Sequence, residues 1–104
     1  MEVLSSRIRV PIPQQELTEF CQRDHVKRLA LFGSVLRKEF RPESDIDVLI
    51  LFSSDVRVGL LALARMRREL TSLFNRQVDL VPMDGLKPAI REHVLADIEY
   101  IYAA

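Results

Sequence analysis

Two short runs in this chain combine residue types and spacing suited to phosphate and metal chemistry. Leu31-Phe32-Gly33-Ser34-Val35-Leu36-Arg37 ends an apolar stretch in a Gly-Ser turn, and Ser44-Asp45-Ile46-Asp47-Val48-Leu49-Ile50 sets two carboxylates at alternate positions of an apolar run. A carboxylate pair entering a buried strand is unfavourable unless a cation or strong donors face it. In a strand, Asp45 and Asp47 leave the same face, about 6.5–7 Å apart along the backbone. Oxygen-only donors suit a hard divalent ion, Mg²⁺ or Mn²⁺, better than zinc. Asp79, between Val78 and Leu80, is the third candidate ligand and is expected to be a buried acid. Gly33 allows close backbone approach to a phosphate, and a helix starting at Ser34 would add free N–H groups and a hydroxyl. Arg37, three positions on, is expected on the same helix face, within bidentate reach of a phosphate. Each feature has a plainer explanation, whether a helix cap for Gly33-Ser34, a solvated arginine for Arg37 or a surface ion pair for Asp79. Their combination points to a nucleotide.

Several elements must position these side chains. Met1 to Ile12 reads as a leader. Pro13 suits the first position of a helix that runs to about Arg23, with Leu17, Phe20 and Cys21 on one face and Asp24-His25 as its end. Val26–Phe32 reads as a strand closed by Gly33, followed by a short helix from Ser34 that stops before Pro42. Asp45–Phe52 is the clearest strand; it is apolar on both faces and so expected to be central, with its carboxylates at one end. A helix over about Val56–Phe74 carries the stripe Leu60, Leu63, Met66, Leu70, Leu73 and Phe74, expected to be core. Val78–Val81 is a third strand ended by Pro82, and the intervening crossover favours a parallel neighbour of the second. Leu86 to about Ala96 forms a last helix with Ile90, Val94 and Leu95 inward, and Asp97–Tyr102 an edge strand. This order predicts an α/β or α+β sheet with helices packed on it.

Composition narrows the field. The 104 residues form one domain, large enough for a core but small for a self-sufficient enzyme. Fifteen basic and fifteen acidic residues cancel, so no global positive field draws the chain to nucleic acid. One cysteine, Cys21, excludes an intramolecular disulfide and argues against a zinc cluster; its setting beside Phe20 reads as a buried structural thiol. No apolar run reaches a membrane-spanning length and no secretion signal is seen, so a cytoplasmic setting without membrane is expected. His25 and His93 have no metal-type partners nearby. Arg65, Arg67 and Arg68 read as a solvated face, and Tyr100 and Tyr102 as edge packing or an interface.

The strings Phe32-Gly33-Ser34-x-x-Arg37, Ser44-Asp45-Ile46-Asp47-Val48-Leu49-Ile50 and Val78-Asp79-Leu80 resemble the minimal nucleotidyltransferases of the DNA-polymerase-β-like superfamily. The resemblance runs from about Val26 to the C-terminus. It implies a polymerase-β-like fold with a small mixed sheet flanked by helices. It also implies two Mg²⁺ or Mn²⁺ ions on Asp45, Asp47 and Asp79, with Gly33, Ser34 and Arg37 on the phosphates of ATP. Val35 stands where the family often has arginine, and Lys38 where it often has glycine; both departures bear on substrate detail and remove no metal ligand.

Members of that family commonly pair with HEPN-domain toxins. The resemblance therefore implies an antitoxin that moves AMP from ATP to a hydroxyl, expected on a tyrosine, of a HEPN partner within a hetero-oligomer. Three other readings stand beside it: a contact-only binding module without catalysis, transfer to a small hydroxylated molecule, and transfer to RNA. The intact acid set weighs against the first and the missing second domain against the second. Neutral charge weighs against the third.

Overall fold

A computed structural model describes residues 8–38 and 40–104; most of the expected leader, residues 1–7, lies outside them. The elements are α1 (Gln14–Arg23), β1 (Val26–Phe32), β2 (Ile46–Phe52), α2 (Leu60–Phe74), β3 (Val78–Pro82), α3 (Pro88–Leu95) and β4 (Ile98–Ala103). Single 3₁₀ turns follow β1 (Gly33–Leu36) and β3 (Met83–Gly85). The four strands form one mixed sheet in the order β3-β2-β1-β4. β1 lies antiparallel to both β2 and β4, and β2 runs parallel to β3.

Alternation along β2 divides the core. Ile46, Val48 and Ile50 point to the face covered by Leu17, Phe20 and Cys21 of α1 and by Met66 and Leu70 of α2. Leu49 points to the opposite face, where Ala30 and Met83 meet the half-buried Val94 and Leu95 of α3. Asp47, two residues before Leu49, shares that second face. Cys21 is fully buried as expected, and desolvation followed by the nearby Asp24 charge pushes its thiol up to about 12. It has no thiolate to offer chemistry.

Three expected elements differ from those observed. α2 begins at Leu60 rather than near Val56, because Gly59 holds an extended conformation as its N-cap. Leu60 is consequently 85% exposed, outside the core expected for it, and only Met66 and Leu70 of the stripe are fully buried. Ile90, expected inward, is 52% exposed, since the two-turn α3 reaches the sheet only through its last residues. The helix expected from Ser34 is one 3₁₀ turn; it buries Val35 and Leu36 and stops, leaving Arg37 extended at φ −120°, ψ 158°. Arg37 and Lys38 bring no apolar face that would reward continuing a helix.

Polar links fix the α1–β1 corner. His25 takes the left-handed conformation (φ 59°), and its carbonyl accepts from Ser53 N–H at 3.0 Å. Arg65 donates to Asp24 at 2.6 Å and to Glu69 at 3.4 Å, and Arg23 also bonds Glu69. Arg65 thus ties α2 to the end of α1, while Arg67 and Arg68 stay exposed. Across the β1–β4 pair, the Arg28 guanidinium lies 5.7 Å from the Tyr100 ring.

Candidate active site

The acids lie toward one end of the sheet without forming the tight three-carboxylate cluster their spacing suggests. Parallel pairing sets Asp47 of β2 beside Asp79 of β3, so these two side chains leave adjacent strands on one face, and Asp45 stands just before β2. Asp47 is half-buried; Asp45 and Asp79 are exposed. The exposure of Asp79 corrects the expected buried acid: β3 is an edge strand with a neighbour on one side only. Burial first, then the charges of Asp79 and Asp45, hold the Asp47 carboxyl above the usual carboxylate range.

Among the described residues, no three acidic, histidine or cysteine side chains are gathered tightly enough to form a metal cluster. The donor set nonetheless fits a hard divalent ion. All donors are carboxylate oxygens, Asp45 and Asp79 are exposed and have room to turn, and their repulsion of Asp47 is the electrostatic signature a cation would relieve.

Gly33 is bound to this acid by geometry. Its φ is +76°, a conformation that side chains disfavour. A Cβ built there would overlap Asp47 Oδ2 and lie 3.3 Å from Asp47 Cγ. The backbone of the Gly-Ser turn therefore passes directly against the Asp47 carboxylate. Antiparallel pairing of Phe32 with Asp47 sets this register.

Arg37 is not on a helix face shared with Ser34, because the 3₁₀ turn has ended. It is nevertheless brought to Gly33, since both line a pocket of about 100 Å³ with Phe32, His93, Val94 and Asp97. Ser34 does not line it. The pocket lies on the β4 side of Gly33, away from the acids on β2 and β3. His93 and Asp97 were not marked by sequence spacing as site residues; the topology that lays β4 beside β1, pairing Phe32 with Ile98, delivers them.

A second unanticipated contributor is Arg76, which precedes β3. Its guanidinium stacks 4.7 Å from the Phe40 ring, and Nη1 donates to the Arg41 carbonyl at 2.9 Å. That carbonyl also accepts from Ser44 N–H at 3.0 Å, and Ser44 Oγ accepts from Arg41 N–H at 3.2 Å. Arg76 thus holds the turn delivering Asp45. Arg76→Ala is expected to lower stability by about 1 kcal/mol, a few degrees in Tm, and to slow catalysis about fivefold or more through a displaced Asp45. Parallel melting curves and initial rates check this; a rate falling only with the folded fraction would leave Arg76 a structural role alone.

Known proteins resemble this chain in sequence and fold. Residues 14–101 match the nucleotidyltransferase domain family. The chain is 32% identical over 83 residues to protein adenylyltransferase MntA of Thermococcus cleftensis, covering 80% of this chain and 82% of that one. A solved structure assigned as a minimal nucleotidyltransferase is 36% identical with a TM-score of 0.68, covering 82% of this chain and 85% of that one. The solved complex of tri-AMPylated Shewanella oneidensis HEPN toxin with its MNT antitoxin aligns over 88% of this chain and 70% of that one, with a TM-score of 0.64. At 18% identity that last likeness shows the fold alone, a mixed sheet flanked by helices of the polymerase-β-like kind. A family match spanning both the Gly-Ser turn and the three acids, with relatives above 30% identity over most of both chains, leads to one assignment: the chain belongs to the nucleotidyltransferase domain family.

Proposed function

We propose that this protein transfers AMP from ATP to a hydroxyl of a partner protein, an antitoxin modifying a HEPN-type toxin on tyrosine within a hetero-oligomer in the cytoplasm. The observation that carries the reading is the contact of the Gly33 backbone with the Asp47 carboxylate, since it sets a phosphate-approaching turn and a metal-type acid side by side. The relatives support it: the T. cleftensis chain is named a protein adenylyltransferase, and a toxin–antitoxin structure with AMP-PNP shares the fold at a TM-score of 0.73, covering 89% of this chain and 75% of that one.

Asp45, Asp47 and Asp79 would hold two Mg²⁺ ions. When bound, these ions supply charge neutralisation for an in-line displacement at phosphorus. The chain's own residues do the rest. Gly33 and Ser34 seat the departing phosphates, and Arg37 binds a non-bridging oxygen. Asp79, exposed on the edge strand, takes the proton of the acceptor hydroxyl. The acceptor oxygen bonds to the α-phosphorus as the bond from that phosphorus to the α,β-bridging oxygen breaks, and pyrophosphate carries away the electron pair.

The test is label transfer. With Mg²⁺ and the HEPN-type partner, [α-³²P]ATP is expected to label the partner and [γ-³²P]ATP to leave it unlabelled. Label from the γ position would mean phosphoryl transfer. A stable complex with no label from either would favour inhibition by contact alone.

A further inference from the structure

Across the site end of the sheet, the order β3-β2-β1-β4 puts Asp79 and Asp47 on one side of Gly33 and Asp97, just before β4, on the other. Neighbouring strands lie about 4.8 Å apart. A triphosphate with its α-phosphorus over the acids and its middle phosphate against Gly33 must therefore carry its last phosphate past Gly33, toward β4. The pocket lined by Phe32, Gly33, Arg37, His93, Val94 and Asp97 opens there, and at about 100 Å³ it has room for a phosphate group beside Gly33. Two of its side chains donate to oxyanions, Arg37 and His93, and nothing in the transfer step described above uses His93.

We propose that His93, carried on α3, binds the terminal phosphate of the nucleoside triphosphate and then the departing pyrophosphate, so that it distinguishes triphosphate from diphosphate. The proposal rests on the nucleotidyl-transfer reading. α3 contributes through its last turn, the part that meets the sheet through Val94 and Leu95 and that carries His93 to the pocket wall opposite Gly33. Asp97, which already has a partner, closes the far wall.

His93 is exposed, so H93A and H93Q leave the core untouched. Titration calorimetry of the full chain with ATP and with ADP, both with Mg²⁺, tests the assignment. H93A is expected to lose about tenfold in ATP affinity, the worth of one charge-assisted hydrogen bond, while ADP affinity stays within about twofold. H93Q, which keeps one donor, is expected to fall between. An unchanged ATP-to-ADP ratio in H93A, or an equal loss for both nucleotides, would overturn the role of His93 and leave nucleotidyl transfer standing. Wild-type protein that binds neither nucleotide would overturn both.

Discussion

Asp45→Asn/Asp47→Asn is expected to abolish transfer, by about 10³-fold or more, while the chain stays folded. Each amide retains the volume of the carboxylate but cannot neutralise a divalent ion, and loss of that electrostatic stabilisation removes several kcal/mol from the transition state at 1.36 kcal/mol per decade. The effect on stability runs the other way. Desolvation and the charges of Asp79 and Asp45 already raise the Asp47 carboxyl, so ionising it costs more in the folded chain than in the unfolded one. A neutral amide removes both penalties, and Tm measured without divalent ions is expected to hold or rise. Label transfer and thermal melts on the same preparation check both signs. Transfer that survives the double substitution would remove these acids from the reaction; a collapsed Tm would make them structural.

Gly33→Ala is the second large effect, and it arises from the backbone. An alanine at φ +76° is strained by about 1–2 kcal/mol, roughly 4–8 °C per kcal/mol in Tm for a domain of this size. The heavier consequence is local. The new methyl would occupy the place of Asp47 Oδ2, and the carboxylate, as the movable side chain, must swing away. Displacing a reacting group by about 1 Å costs on the order of 10²-fold, so transfer is expected to fall at least that far in protein that is still folded at the assay temperature. Ser34→Ala serves as the comparison: it leaves the Asp47 carboxylate in place and is expected to lose less. Full activity in Gly33→Ala would show that the close approach has no part in catalysis.

Much of this was legible along the chain. β1 was bounded at Val26 and Phe32 by its apolar run and the glycine after it, and β2 by apolar residues on both faces, which only a central strand can bury. The parallel pairing of β3 with β2 followed from the length of the crossover. Register, exposure and the reach of short helices were less legible. Leu60 fits the apolar stripe of α2, but the helix begins there, before it meets the sheet. Ile90 fits α3 in the same way, on a helix too short to bury its first turn. The turn after Gly33 ended once Val35 and Leu36 had been buried, so Arg37 reached its pocket from extended chain.

The candidate donors, three acids and a Gly-Ser turn, and the strands carrying them could be read from the residues alone, because hydrophobic alternation and backbone sterics act locally and are written in neighbouring residues. Tertiary structure alone decided who meets whom. Strand order made β3 an edge and exposed Asp79. It laid β4 beside β1 and so brought His93 and Asp97 to Gly33, and it set Arg76 under the turn before Asp45. Those meetings depend on packing between segments dozens of residues apart, where no local periodicity carries the information.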